Sequence, residues 1–389
     1  MNAADLLSLD LIRRLVAFDT TSRESNLELI DFVEAYLNDL GVECLRVYDD
    51  DKRKANLYAT LGPQDQSGIL LSGHTDVVPV DGQDWTSDPF VVRAADGRLY
   101  GRGTADMKGF IAIALAFAPQ MLERGLKTPI HFAFSYDEEV GHLGARRLIE
   151  IIRAMPVQPA MCIVGEPTGM NVVIAHKGKR KVRVKVRGLE MHSSLAPQAV
   201  NAIEYAAELI AFIKKLARRI EREGPFEPMY DLPHSTIQVG LIQGGTALNI
   251  VPNACVFDFE IRHLPDDDPA ARIAEIETHA TQILEPMMQA VSPGTGFEFE
   301  DLGANPGLEI DPSADIVALV KRLTGRNSHT KVAFGTEAGL FQQRAGIPTV
   351  VCGPGHIAQA HTPDEFISLE QLAKGEDFMR QLMDYVCTN

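Results

Sequence analysis

Acidic and imidazole side chains recur in this chain where short apolar, β-prone runs end. Ser72-Gly73-His74-Thr75-Asp76 follows Ile69-Leu70-Leu71, Asp137-Glu138-Glu139 follows the run 130–134, and Gly165-Glu166 follows the run 161–164. Asp106 lies in a glycine-rich stretch, Gly101-Arg102-Gly103-Thr104-Ala105-Asp106-Met107-Lys108-Gly109. Ligands of open α/β sheets sit at strand ends, and the simplest chemistry that gathers His, Asp and Glu there is a divalent-metal site. His74 and Asp76, two residues apart, share one side of the pleat. The imidazole suits zinc, and a carboxylate near its other ring nitrogen would fix its tautomer. Asp106, in a tight loop, is a candidate to offer one oxygen to each of two cations. The adjacent Glu138 and Glu139 can divide two tasks, one holding metal and the other moving a proton. Taken singly, these residues have ordinary explanations: a core histidine, a turn-forming aspartate, acids at a helix start. Far downstream, His356 and His361 both follow an apolar run, and composition does not choose between them.

The elements that must position these groups alternate. Apolar residues at helical spacing predict helices over 6–18 and 25–40, with Gly41 ending the second and the polar break 19–22 capping its start. Strands are predicted over 42–47 and 56–61, and helices over 109–124 and 143–152, each just past a ligand-bearing loop. Strand, loop and helix repeat in that order, which is an α/β signature.

The character shifts after Lys177, where 179–187 alternates basic and apolar residues and predicts a strand with one solvated face or an exposed edge. The order from there is strand, helix (201–221), strands (235–239 and 254–263), helix (269–284) and strand (296–300), the split βαβ plan of a ferredoxin-like domain. A helix over 313–323, strands over 331–334 and 349–352 and a closing helix over 369–386 return to the first pattern. The expected fold is therefore a catalytic α/β/α domain with a central mixed sheet, residues 1–178 and 304–389. It is interrupted by a ferredoxin-like α+β lid or dimerisation domain, 179–303.

Composition sets the bounds. A chain of 389 residues is long enough for two cores. Its net charge of −16 argues against nucleic acid or an anionic membrane as partner, and carboxylates gathered around cations would absorb part of that excess. Five dispersed cysteines, odd in number and without a C-x-x-C pair, are expected to be reduced thiols. With no visible signal pattern and no apolar run of transmembrane length, a cytoplasmic protein is expected.

Together the motifs resemble the co-catalytic two-zinc family of acetylornithine deacetylases, succinyl-diaminopimelate desuccinylases, glutamate carboxypeptidases and aminoacylases. The resemblance is carried by S-G-H-T-D-V-V-P at Ser72–Pro79 with Gly82 and Trp85, G-R-G-x-x-D-M-K-G, D-E-E-x-G, G-E-P-T and the late A-H-x-P-D-E, in that order. It implies that Asp106 bridges two divalent ions, zinc first with cobalt or manganese as alternatives. His74 and Glu166 would complete one, and Glu139 and His361 the other. It further implies Glu138 as general acid/base, Asp76 as the orienter of His74, and a cis peptide at Asp106-Met107. In the implied reaction two cations activate a bridging water and polarise an amide carbonyl, and Glu138 carries the proton to the leaving amine.

In the lid, Gly188-Leu189-Glu190-Met191-His192 resembles the family segment whose histidine stabilises the oxyanion, often from a neighbouring subunit. Asn249 and Arg262 resemble positions that hold a substrate α-carboxylate. Phe334-Gly335-Thr336-Glu337-Ala338 resembles the G-T-E-A segment of acetylornithine deacetylases and makes Thr336 and Glu337 expected substrate contacts, with Glu337 favouring a cationic amine. The implied activity is hydrolysis of an N-acyl amino acid, N-acetyl-L-ornithine first, as in arginine biosynthesis, by a homodimer pairing through the lid. The alternatives are a desuccinylase, aminoacylase, dipeptidase or carboxypeptidase of the same family, or an inactive metal-binding relative.

Overall fold

A computed structural model describes residues 6–388, and these form two compact units. One takes the chain up to Ala175, Leu308–Lys331 and the stretch from Thr336, and the other takes His176–Gly307 with Val332–Gly335. The short Val332–Gly335 segment, outside the span 179–303 expected for the inserted domain, joins the second unit.

The first unit is built on a nine-stranded mixed sheet. Four neighbouring strands, in the order Ile130–Ser135, Ile69–His74, Met161–Pro167 and Thr349–Gly353, run parallel. Their carboxyl ends therefore share one edge. Every residue of Ile69–His74, Ile130–Ser135 and Thr349–Gly353 is buried, which is why these runs are mostly apolar and lack a polar, solvent-facing alternation. Cys44–Tyr48 and Ala55–Leu61 extend the sheet antiparallel on one side, and Val173–His176 and Leu308–Glu309 extend it on the other.

Helices Leu9–Val16, Lys108–Arg124 and Leu369–Thr388 pack together, while Leu143–Ala154 packs with Ala338–Ala345. The Lys108–Arg124 helix is buried along most of its length and lies close to the sheet at Gly165, where a Cβ would sit 2.1 Å from the Phe110 ring. A three-stranded sheet, Arg93–Ala95, Arg98–Tyr100 and Phe366–Ser368, ties the chain's far end beside the Asp106 loop.

The second unit is a four-stranded antiparallel sheet in the order Thr236–Gly244, Ala254–His263, Gly178–Arg187, Gly296–Asn305. The long helix Ala202–Glu223 covers it, and Ala206, Leu209, Ile213, Leu216 and Ile220 enter its core with Val182, Val184 and Val186. This is the expected split βαβ order. The helix expected to run to residue 284 continues through a π turn, Ala280–Leu284, into Glu285–Val291.

Two expectations change. Gly178–Arg187 is an interior strand, so its basic face is not an edge guard: Arg183 pairs with Asp258 (2.9 Å), and Lys185 with Glu298 (3.1 Å) and Glu300 (2.9 Å), on its neighbours. Nor does the 19–22 break cap the second helix, which starts after Asn26. Asp19 instead accepts from Thr21, while Thr20 and Ser22 reach the strand end at Thr75 and Asp76. Gly41, at φ +78°, does follow that helix as expected. No helix among the described residues is long and apolar enough to cross a membrane.

Candidate metal centre

The shared edge of the four parallel strands assembles the site. His74 is the last residue of its strand and is 1 % exposed. Its Nδ1 donates to the Asp76 carbonyl (2.8 Å), which makes Nε2, turned toward Asp106, the ring atom that a cation could take. Asp76 thus orients His74 through its backbone, its nearer carboxylate oxygen being 3.7 Å from the ring. The carboxylate has other work: it accepts from the backbone N–H groups of Glu138 (3.0 Å) and Glu139 (3.3 Å) and from the Ser22 hydroxyl (2.7 Å). One aspartate therefore fixes the histidine beside it and the turn that carries both glutamates.

Asp106 stands between two imidazoles. Its Oδ1 lies 3.0 Å from His74 Nε2 and its Oδ2 lies 3.3 Å from His361 Nε2. Glu139 Oε1 is 3.0 Å from His361 Nε2, and Glu166 Oε1 is 3.9 Å from His74 Nε2. The five expected ligands therefore converge, with the two oxygens of one carboxylate facing opposite partners. The Asp106-Met107 peptide is cis, and Gly103 (φ +83°) makes the preceding turn where a Cβ would press within 2.9 Å of Val77. Ligand atoms of His74, Glu138 and Glu166 lie within 4.8 Å of one another, as do those of His74, Asp106 and Glu139. Glu138 therefore stands at the centre itself.

The geometry separates the two late histidines that composition left equal. His361, on left-handed backbone (φ +62°), turns Nε2 to Asp106 and Glu139. The His356 ring packs against Gly169, and its backbone bridges to Thr168.

Electrostatics point to cations. Burial and the Asp106 charge push the Glu139 carboxyl up to about 7 and that of Glu166 well above its ordinary value. Burial opposes charge on Asp106 and on His74, but it is outweighed: hydrogen bonds to His361 and His74 hold the Asp106 carboxyl low, and Asp106 with the Glu166 charge holds the His74 imidazole high. The His361 imidazole is raised to about 10 by hydrogen bonds to Asp106 and Glu139. Glu138 is penalised by burial, yet the neighbouring His142 and His74 bring its carboxyl below the usual value. Four buried or nearly buried carboxylates against three imidazoles, those of His74, His142 and His361, still leave a surplus of negative charge that bound cations would relieve. Nitrogen and oxygen donors without thiolate fit zinc, cobalt or manganese.

Other expected residues fall elsewhere. Thr336 is buried, its hydroxyl accepting from the Ala338 N–H (3.1 Å). Glu337 is 1 % exposed, with Oε2 accepting from Ser135 (2.8 Å) and Oε1 from Ser72. Both oxygens are taken inside the sheet, so Glu337 does not offer its carboxylate to a substrate amine, and that expectation is corrected. His192, Asn249 and Arg262 belong to the second unit. There the exposed His192 bonds Ser194, the Asn249 carbonyl accepts from Ser193 N–H, and Arg262 pairs with Glu260 (3.0 Å).

Sequence reasoning missed His142, whose Nδ1 is 2.8 Å from Glu138 Oε1; the i, i+4 spacing from Glu138 was its only signal. It also missed Arg102 and Glu365, a fully buried pair (2.8 Å). Glu365 accepts from the N–H groups of Ala105 and Asp106.

The family model described as peptidase family M20/M25/M40 matches residues 70–385. The chain belongs to peptidase family M20/M25/M40. Among its relatives, an acetylornithine deacetylase of Photorhabdus laumondii is 34% identical over 386 residues, covering 97% of each chain. One of Pasteurella multocida is 34% identical over 94% of this chain and 92% of its own. The M20 family metallo-carboxypeptidase of Sulfolobus solfataricus shares the fold, with a TM-score of 0.75 at 18% identity over 98% of this chain and 99% of its own.

Proposed function

We propose that this M20 chain is a two-cation amidohydrolase that releases the acyl group of an N-acyl amino acid, N-acetyl-L-ornithine first. The observation that carries it is Asp106 with one oxygen toward His74 and the other toward His361, beside a buried glutamate. The full-length relatives named acetylornithine deacetylase support the substrate class. Divalent cations, zinc first, held by His74, Asp106, Glu139, Glu166 and His361 would supply charge to polarise the amide carbonyl and to make water acidic.

The protein's part is placement and proton transfer. Glu138 takes the proton of the attacking water and hands it to the departing amine, assisted by a turn that Asp76 holds still and by His142 against its carboxylate. His192 supplies a donor for the developing oxyanion, from its own subunit or from a partner copy, and Asn249 and Arg262 hold the substrate α-carboxylate. A cytoplasmic homodimer formed through the second unit belongs to the same reading, and light scattering tests the pairing.

The deciding experiment is a panel of N-acetylornithine, N-succinyl-diaminopimelate, N-acetylmethionine and dipeptides, offered to chelator-stripped protein refilled with zinc or cobalt. N-acetylornithine is expected to be cleaved with the highest kcat/KM. Preference for a dipeptide would replace the deacetylase reading with a peptidase one, and no turnover by metal-loaded protein would end both.

A further inference from the structure

Gln83 lies in the loop after the His74 strand, and its amide is held from both sides. Oε1 accepts from Arg102 Nη2 (2.6 Å) and from Trp85 Nε1 (3.0 Å), two groups that can only donate, so the amide orientation is determined. Nε2 then donates to the carbonyl of His361 (3.1 Å). The Arg102 that orients this amide is 1 % exposed and paired with the equally buried Glu365, whose other oxygen accepts from the backbone of Ala105 (2.9 Å) and Asp106 (3.1 Å). Arg102 also stacks on Trp85, 5.1 Å from the ring centroid. A continuous run of hydrogen bonds thus joins the backbone of Asp106 to that of His361, residues brought together from distant parts of the chain.

His361 has particular use for such a brace. His74 is locked by sheet pairing and by its own Nδ1 bond, whereas His361 sits on left-handed backbone outside any strand, with its side chain 51% exposed.

We propose that Gln83 is a positioning residue for His361: its amide N–H, aimed by Arg102, fixes the His361 carbonyl and thereby sets the affinity of the cation seat formed by Asp106, Glu139 and His361. The seat formed by His74 and Glu166 is independent of it. This rests on the two-cation reading above.

The test titrates chelator-stripped full-length protein with zinc by calorimetry and with cobalt by visible absorption. Two variants separate the contacts: Gln83→Glu keeps an acceptor for Arg102 and Trp85 but has no N–H for His361, and Gln83→Leu loses both. In each, one equivalent is expected to bind as in the wild type and the other about 10–100-fold more weakly, the usual effect of losing a ligand's support. The melting temperature of the stripped protein should stay near the wild-type value in Gln83→Glu and fall in Gln83→Leu, which leaves the buried Arg102 donor without its acceptor. Wild-type affinity for both ions in Gln83→Glu overturns the inference, as does equal weakening of the two equivalents. If the wild type itself takes up fewer than two ions, the two-cation reading fails and the inference with it.

Discussion

The two halves of the candidate centre are built differently. His74 and Glu166 lie within strands of the buried parallel sheet, and both are nearly inaccessible. Glu139 and His361 lie on loops, His361 half open to solvent and on a backbone conformation that few non-glycine residues adopt. The strand half is set by register and packing, while the loop half depends on side-chain braces. An ion seated on strands is expected to be held tightly from the outset, and one seated on loops to be tunable.

The largest expected effect tests whether Glu138 stands outside both seats. Glu138→Gln should lower kcat by about 10²–10⁴-fold, the span of a positioned acid/base, with both ions still bound in calorimetry. Loss of an ion would make Glu138 a ligand of the strand half.

Next in size are the two histidines. His361→Ala and His74→Ala should each weaken one equivalent by at least about 10–100-fold, the typical cost of losing only a ligand's supporting hydrogen bond. Both should lower the melting temperature of stripped protein, His74→Ala the more, because it leaves the deeply buried Asp106 and Glu166 carboxylates beside a missing partner, whereas His361 is half exposed. Equal melting temperatures would erase the contrast between the halves.

A pH series sharpens the comparison further. Glu139, with its carboxyl raised from 4.5 to about 7, binds a proton in the folded chain that the unfolded chain has released. Its contribution to stripped protein is therefore full below about pH 4.5 and is lost as pH rises through about 7. His361, raised from 6.5 to about 10, continues the decline at higher pH. Cation binding requires both the Glu139 carboxylate and the neutral His361 imidazole, so zinc affinity should fall as pH drops below about 10 and more steeply below about 7. Melting curves with chelator and with zinc should slope in opposite directions between pH 4.5 and 7. Parallel slopes would remove Glu139 from the site.

The smallest effect belongs to the second unit. Arg183→Ala, removing a partly exposed pair with Asp258, should cost no more than about 1 kcal/mol in denaturant unfolding and leave metal uptake unchanged.

What could be read from the chain follows the same division. Strand-end ligands were legible because a buried strand announces itself by composition and the ligand follows at once. The alternation of 179–187 announced its solvated face but not its neighbours, and an interior strand whose charges are met by acids on both sides reads like an edge. Asp76 was expected to meet His74 through its carboxylate, and nothing in H-x-D tells that its carbonyl is the acceptor instead. Gln83 reaches His361 and Arg102 reaches Glu365 across more than 250 positions, pairings that leave no local period. Glu337 carried a motif's charge into a place where two serines consume it.

The last ligand also arrives late. Four of the five, His74 through Glu166, are translated well before His361, a lag of roughly 10–40 s at ordinary elongation speed. Through that interval the ribosome-tethered chain lacks both the Thr349–Gly353 strand and the histidine on the loop beyond it. On the two-cation reading, full metal occupancy has to wait until residue 361 has been made, long after the strand-borne ligands.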